Sequence, residues 1–243
     1  MELLLLSNST LPGESFFQWP RQYVARFLEG KKRIAFVPFA AVDEKQDGNV
    51  ELVANLFGEM GCETIGLHRE RDPVNALSTC DTVVIGGGNS FLLLRSLYRT
   101  GLIKAIANHV KAGMPYLGWS AGSNVVCPTI MTTNDMPIVE PPTLKAMHLT
   151  LKAMHMVSFQ INPHYTEATI PGHGGESRDQ RIAEYLALNP RSTVIGLREG
   201  SLLHVKSGLI NLHGKDMVLF RSGKERKVVA DGTSFRTDLS DLV

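Results

Sequence analysis

Short apolar runs that alternate with longer amphipathic ones through the first half set the tightest limit on what this chain can fold into. "ELLLLS" (2–7), "RIAFVPF" (33–39), "TIGL" (64–67), "TVVIGGG" (82–88) and "MPYLGWS" (114–120) have the pattern of strands buried on both faces. Between them, "FFQWPRQYVARFLEG", "NVELVANLFGEMG", "SFLLLRSLYRTG" and "LIKAIANHVKAG" carry helical spacing and close on glycine, a usual helix stop. Strand and helix in strict alternation imply a parallel sheet with helices on both faces. The rhythm breaks over 128–175, which is rich in Pro, Thr, Asn, His and Gly and shows little regular patterning. Helix returns at "SRDQRIAEYLALNP" and a buried strand at "STVIGL" (192–197). The tail alternates apolar and polar residues around "SG", "HG" and "SG", which predicts a C-terminal antiparallel meander. No break in composition calls for a second domain, so residues 1–243 are expected to form one.

The bulk properties exclude several classes. A net charge of +1 offers no basic field for nucleic acid. Cys62, Cys80 and Cys127 are odd in number and lack C-x-x-C spacing, against a disulfide framework or structural zinc and in favour of a reducing compartment. "MELLLLSNSTLPG" lacks the basic start of a signal peptide, and no run approaches the ~20 apolar residues of a membrane span. A soluble cytoplasmic protein without membrane or nucleic-acid partners is expected.

One segment is duplicated. "LKAMHLT" (144–150) precedes "LKAMHMV" (151–157), with five of seven positions matching. Two copies are too few for a repeat fold. The pair is expected to lengthen a surface loop, with a short amphipathic, partner-binding helix as the alternative.

In an open parallel sheet, ligands gather beyond the carboxyl ends of the strands. Three groups fall there: Gly86-Gly87-Gly88-Asn89, Gly118-Trp119-Ser120-Ala121-Gly122, and Glu199 in "LREG". G-x-S-x-G between strand and helix is a nucleophile-elbow pattern in which small glycines permit a tight turn around Ser120. The same residues would also suit close helix–sheet packing. An oxyanion needs two convergent N–H donors, which Ala121 and Gly88 could supply. The glycine run matches neither G-x-G-x-x-G nor G-x-x-x-x-G-K-[ST], which argues against a nucleotide cradle.

A serine hydroxyl needs a base. His164, in "FQINPHYTE", follows Pro163, which restricts the backbone there. His148 and His155 lie in the duplicated segment, and His204 and His213 in the expected meander. A carboxylate should orient the imidazole; Asp135 in "TTNDMP" and Glu199 are the main candidates, ahead of Asp179 and Glu176. Arg178 opens a helix, where its charge opposes the dipole, so it is either a surface ion pair or a fork for a substrate carboxylate.

Taken together, "IGGGN", "GWSAGSN", "TTNDMPIV", "QINPH", "GHGGESRDQRI" and "VIGLREG" resemble the α-aspartyl dipeptidases of peptidase family S51 along nearly the whole chain. The resemblance implies a flavodoxin-like parallel sheet of the class I glutamine-amidotransferase kind, and hydrolysis of Asp-X dipeptides without metal or cofactor. It implies Ser120 as nucleophile, His164 as base and Asp135 as third member, with Glu199 the alternative. Gly88 and Ala121 match the oxyanion-hole positions, and Asn89 and Arg178 residues that would bind the aspartyl substrate. The duplicated segment departs from the family pattern. Rival expectations are a cyanophycinase-like hydrolase of aspartyl-arginine polymer, an α/β-hydrolase-type esterase or amidase, and a binding module without catalysis.

Overall fold

The structure is a computed structural model describing every residue except 145–147, 169–171, 173 and 243, with residues 144, 148 and 149 described by backbone alone. The first half runs β1 (Glu2–Leu6), α1 (Arg21–Leu28), β2 (Arg33–Val37), α2 (Asp43–Gly58), β3 (Glu63–Gly66), α3 (Pro73–Ser78), β4 (Thr82–Ile85), α4 (Ser90–Arg99), α5 (Leu102–Lys111) and β5 (Tyr116–Trp119). The second half holds α6 (Ala121–Asn124), β6 (Thr143–Leu144), β7 (His148–Leu149), β8 (Gln160–Tyr165), α7 (Arg178–Leu188) and β9 (Thr193–Arg198). It closes with β10 (Leu202–Lys206), β11 (Leu209–His213), β12 (Met217–Arg221), β13 (Lys227–Val229) and β14 (Ser234–Arg236).

The five apolar runs are all strands, parallel in the order β1-β5-β4-β2-β3. Successive side chains of a strand point to opposite faces, so each run feeds two cores. Leu3, Leu5, Val37 and Ile85 enter one, where α3, α4 and α5 add Leu77, Leu97 and Ile106. Leu4, Leu6, Phe36 and Leu117 enter the other, covered by Val24 of α1 and Phe57 of α2. Leu3 to Leu6 are all buried; at about 1.5–3 kcal/mol for each side chain, β1 is a principal anchor of the fold. The helix expected from residue 16 begins only at Arg21, because Phe17 takes a left-handed φ of 58° and Pro20 occupies the N-cap.

The tail differs from the expected meander. β10 lies antiparallel to β1, followed by β11 and β14, and completes an eight-stranded sheet. β12 and β13 leave for a second sheet, β13-β12-β9-β8, in which β8 and β9 are parallel. The crossing follows β11 at Gly214, where φ is 98° and a Cβ would stand 2.1 Å from the Gly200 carbonyl oxygen; only glycine fits so close a passage. Ile161, Ile195, Leu197 and Met217 of the second sheet share the core of Leu3 and Leu5, while α7 covers its outer face. All three cysteines are free and buried, and among the described residues no helix is long and apolar enough to cross a membrane.

The two duplicated copies have unlike fates. The second is neither helix nor strand, with a left-handed φ of 49° at His155, and runs through the core: Met154 and Met156 are buried, and the amides of Met154 and Met156 donate to the Val125 and Val126 carbonyls. The first copy forms most of a hairpin, with Thr143 paired to Leu149 and the Thr150 amide donating to Pro142 at 2.9 Å; its residues 145–147 lie outside the described residues. The ends of that hairpin already meet, so deleting residues 144–150 should join Thr143 to Leu151 with little rearrangement. Loop entropy changes slowly with length, and the deletion variant is expected to melt cooperatively within about 4 °C of its parent. Loss of the cooperative thermal transition, followed by circular dichroism, would contradict this.

Candidate active site

β5 ends at Trp119 and α6 begins at Ala121, leaving Ser120 alone to turn the chain at φ 54°, ψ −115°. A non-glycine residue in such a conformation stores about 1–3 kcal/mol of strain and persists only where its surroundings enforce it. The flanking glycines do so by closeness: a Cβ on Gly118 would stand 2.6 Å from the Gly122 oxygen, and one on Gly122 would stand 2.2 Å from the Ile85 oxygen. The Ser120 amide and the Ser123 hydroxyl both donate to the Leu6 carbonyl, at 3.1 and 2.7 Å, tying the turn to the end of β1.

Gly88 sits across from this turn with φ 136°, where a Cβ would meet the Ala40 oxygen at 2.3 Å. The Gly88 and Ala121 amides have no acceptor among the described residues. Gly88, Ser120 and His164 line one cavity of about 320 Å³ whose apolar walls include Phe16, Phe36 and Trp119; Phe36 and Trp119 stack at 6.0 Å between ring centroids.

His164 reaches Ser120 from the second sheet. It lies at a bulge in β8 between Pro163 and Tyr165, with φ 53°. Its Nε2 is 2.9 Å from Ser120 Oγ and its Nδ1 2.6 Å from Glu199 Oε1. An ionised carboxylate only accepts, so Nδ1–H donates to Glu199 and Nε2 is left to accept the serine proton. Parallel pairing of β8 with β9 aligns Tyr165 with Arg198, which brings the next residue, Glu199, beside His164.

Asp135 is elsewhere. Its Oδ2 accepts from the Ser90 amide at 2.7 Å and the Thr133 hydroxyl at 2.9 Å, an anion seated at the start of α4 where the helix dipole favours it. The carboxylate on His164 is therefore Glu199, the alternative, because the strand register delivers residue 199 while Asp135 is held by a helix end. Asn89 caps the same helix, accepting from Phe91 and Leu92 amides at 3.1 Å and donating to the Met136 carbonyl at 2.8 Å. It shapes the loop after Gly88 and does not line the cavity.

Arg178 opens α7 behind a Ser177–Gln180 capping box. It is half-buried and makes no ion pair with any described residue. Burial pushes its guanidinium pKa down, Arg181 adds to the effect, and Asp135 pulls it back up. The Asp135 loop also touches the site on two sides, since Asn134 donates to the Pro163 carbonyl at 2.7 Å and Met136 accepts from Asn89. Arg178 lies near enough to Asp135 to feel its charge and does not line the apolar cavity.

A hydroxyl on a strained turn, an imidazole that can take its proton and a carboxylate that fixes the imidazole are the working parts of a serine-type hydrolase. Comparison with known proteins agrees. The sequence description of peptidase family S51 matches residues 3–213, and the chain belongs to that family of serine-type peptidases. It is 45% identical over 227 residues to a protein named Peptidase E from Nostoc sp., covering 93% of this chain and 91% of that one. It is 42% identical over 236 residues to Peptidase E of Salmonella typhimurium, covering 97% and 100%. The crystal structure of a peptidase from an acI-B1 Actinobacterium superposes with a TM-score of 0.71 at 18% identity, over 97% of this chain and 96% of that one, a likeness of fold.

Proposed function

We propose that this peptidase hydrolyses dipeptides with N-terminal aspartate, Asp-X, through an acyl-enzyme on Ser120. The observation that carries the proposal is the hydrogen-bonded run from Ser120 through His164 to Glu199, whose Ser120 and His164 line the same cavity as Gly88. Ser120 Oγ attacks the peptide carbonyl while His164 Nε2 takes its proton. The amides of Gly88 and Ala121, without an acceptor among the described residues, receive the oxyanion, each worth about 3 kcal/mol in sites of this type. His164 returns the proton to the departing amine of X as the C–N bond breaks. Water, deprotonated by the same imidazole, then releases aspartate.

Selectivity for aspartate rests on Arg178. A half-buried cation without an ion-pair partner among the described residues is available to an anion, and a guanidinium grips a carboxylate with two parallel hydrogen bonds. Asparagine keeps the shape of aspartate and lacks its charge. Wild-type protein is expected to favour Asp-Leu over Asn-Leu in kcat/KM by about 10²-fold, and Arg178→Met should level the two. Release of free leucine, followed by chromatography, tests both. No hydrolysis of Asp-Leu would overturn the proposed activity; a preference that survives Arg178→Met would remove this residue from substrate recognition.

A further inference from the structure

The reacting groups come from two sheets, Ser120 from the end of β5 and His164 with Glu199 from β8 and β9. Their alignment depends on what joins the sheets at this edge. Ser7, the residue after β1, is fully buried. Its hydroxyl donates to the Leu197 carbonyl of β9 at 2.7 Å and accepts from the His164 amide of β8 at 2.9 Å. On either side of it, the Leu6 carbonyl holds the Ser120 turn, and the Asn8 side chain accepts from the Gly200 amide, next to Glu199, at 2.9 Å. Three consecutive residues therefore hold the supports of the hydroxyl, the imidazole and the carboxylate.

From this we infer that Ser7 is a positioning residue for His164, a role that rests on the serine-peptidase mechanism proposed above. The physical need arises at the bulge. His164 has a left-handed φ, and at a bulge the extra residue loses its ladder partner. A buried amide left without an acceptor is costly, and the Ser7 hydroxyl is the acceptor provided. Without it, the strand is free to relax toward ordinary extended geometry. Because side chains alternate along a strand, such relaxation rotates the imidazole away from Ser120. The sheets themselves remain joined without Ser7, since Asn124 of α6 still donates to the Ile161 carbonyl at 2.8 Å and the apolar core between them is continuous.

The test compares Ser7→Ala, Ser7→Thr, His164→Ala and the Ser7→Ala/His164→Ala double variant on Asp-Leu, with melting temperatures alongside. Ser7→Ala is expected to lower kcat by about 10²-fold, as a displacement near 1 Å can do, with KM little changed. Ser7→Thr, which restores the hydroxyl, should recover most of the loss. The double variant should turn over no more slowly than His164→Ala alone, because a residue acting through the imidazole has nothing left to position. Should Ser7→Ala fail to fold, Ser7→Cys, similar in size but a poor acceptor, carries the same test. Wild-type kcat in Ser7→Ala, or a double variant slower than His164→Ala by the full single-variant factor, overturns the assignment of Ser7 alone. Wild-type turnover by His164→Ala overturns the mechanism beneath it.

Discussion

Ser120→Ala is expected to turn over Asp-Leu about 10⁶-fold more slowly than the parent, the loss that follows removal of the nucleophile of a serine-type site, and to fold to the same structure. The turn at residue 120 is imposed by Gly118 and Gly122, whose surroundings leave no room for a Cβ, and alanine meets the same backbone strain that serine does. Among the described residues the hydroxyl bonds one side chain, His164 through Nε2, so its loss leaves no buried group stranded. Ser123 supplies the contrast. Three residues on, its hydroxyl is buried and shares its one proton between the Leu6 and Gly118 carbonyls, at 2.7 and 2.9 Å, so Ser123→Ala should lower stability by about 1–3 kcal/mol and leave most of kcat in place. Steady-state kinetics and thermal melts on the two variants separate chemistry from architecture. Appreciable turnover by Ser120→Ala would remove residue 120 from the reaction.

The parallel half of the fold is legible in the sequence because burial on both faces forces unbroken apolar runs, and such runs are visible without knowing their partners. β8 is not legible in the same way. Its residues include Gln160, Asn162 and His164, polar groups whose nitrogens bond residues some thirty positions away, such as the Asn162 side-chain amide on the Thr132 carbonyl. Pairings between strands so distant leave no local period. α3 did carry a local signal, Asp72 capping the Asn75 amide with Pro73 in the first turn, which the strand-and-helix rhythm passes over. In the duplicated segment a spacing of seven suggests a helix, but Met154, Met156 and Val157 are buried around an exposed His155 whose left-handed φ of 49° breaks any regular period. Of the site, Ser120 and His164 stand out by motif, and Glu199 by its place at a strand end. Ser7 could not stand out: an isolated serine has no pattern, and its importance arises only when two sheets meet.

Glu199→Gln and Asp135→Asn separate two carboxylates that composition and chain order treat alike. Glu199 accepts the Nδ1 proton of His164 at 2.6 Å. A glutamine there can present its NH₂ group to Nδ1, favouring the tautomer that carries the proton on Nε2, where it cannot receive another from Ser120. A comparable change in a related arrangement costs about 10⁴ in kcat, and a loss of about 10³ to 10⁴ is expected here, with KM much less affected because the imidazole makes its main contribution in the transition state. Asp135→Asn is milder in its effect on kcat. Its amide oxygen can still accept from the Ser90 amide, so the start of α4 and the loop across it keep their form, and no bond to His164 is lost. The charge removed is one that acts on Arg178, so its effect belongs in KM for aspartyl substrates. Removing a carboxylate that competes for the guanidinium should hold that KM or lower it. Parallel measurements of kcat and KM on Asp-Leu decide between the two. A larger fall in kcat for Asp135→Asn than for Glu199→Gln would mean that substrate binding rearranges the loop and hands His164 from one acid to the other.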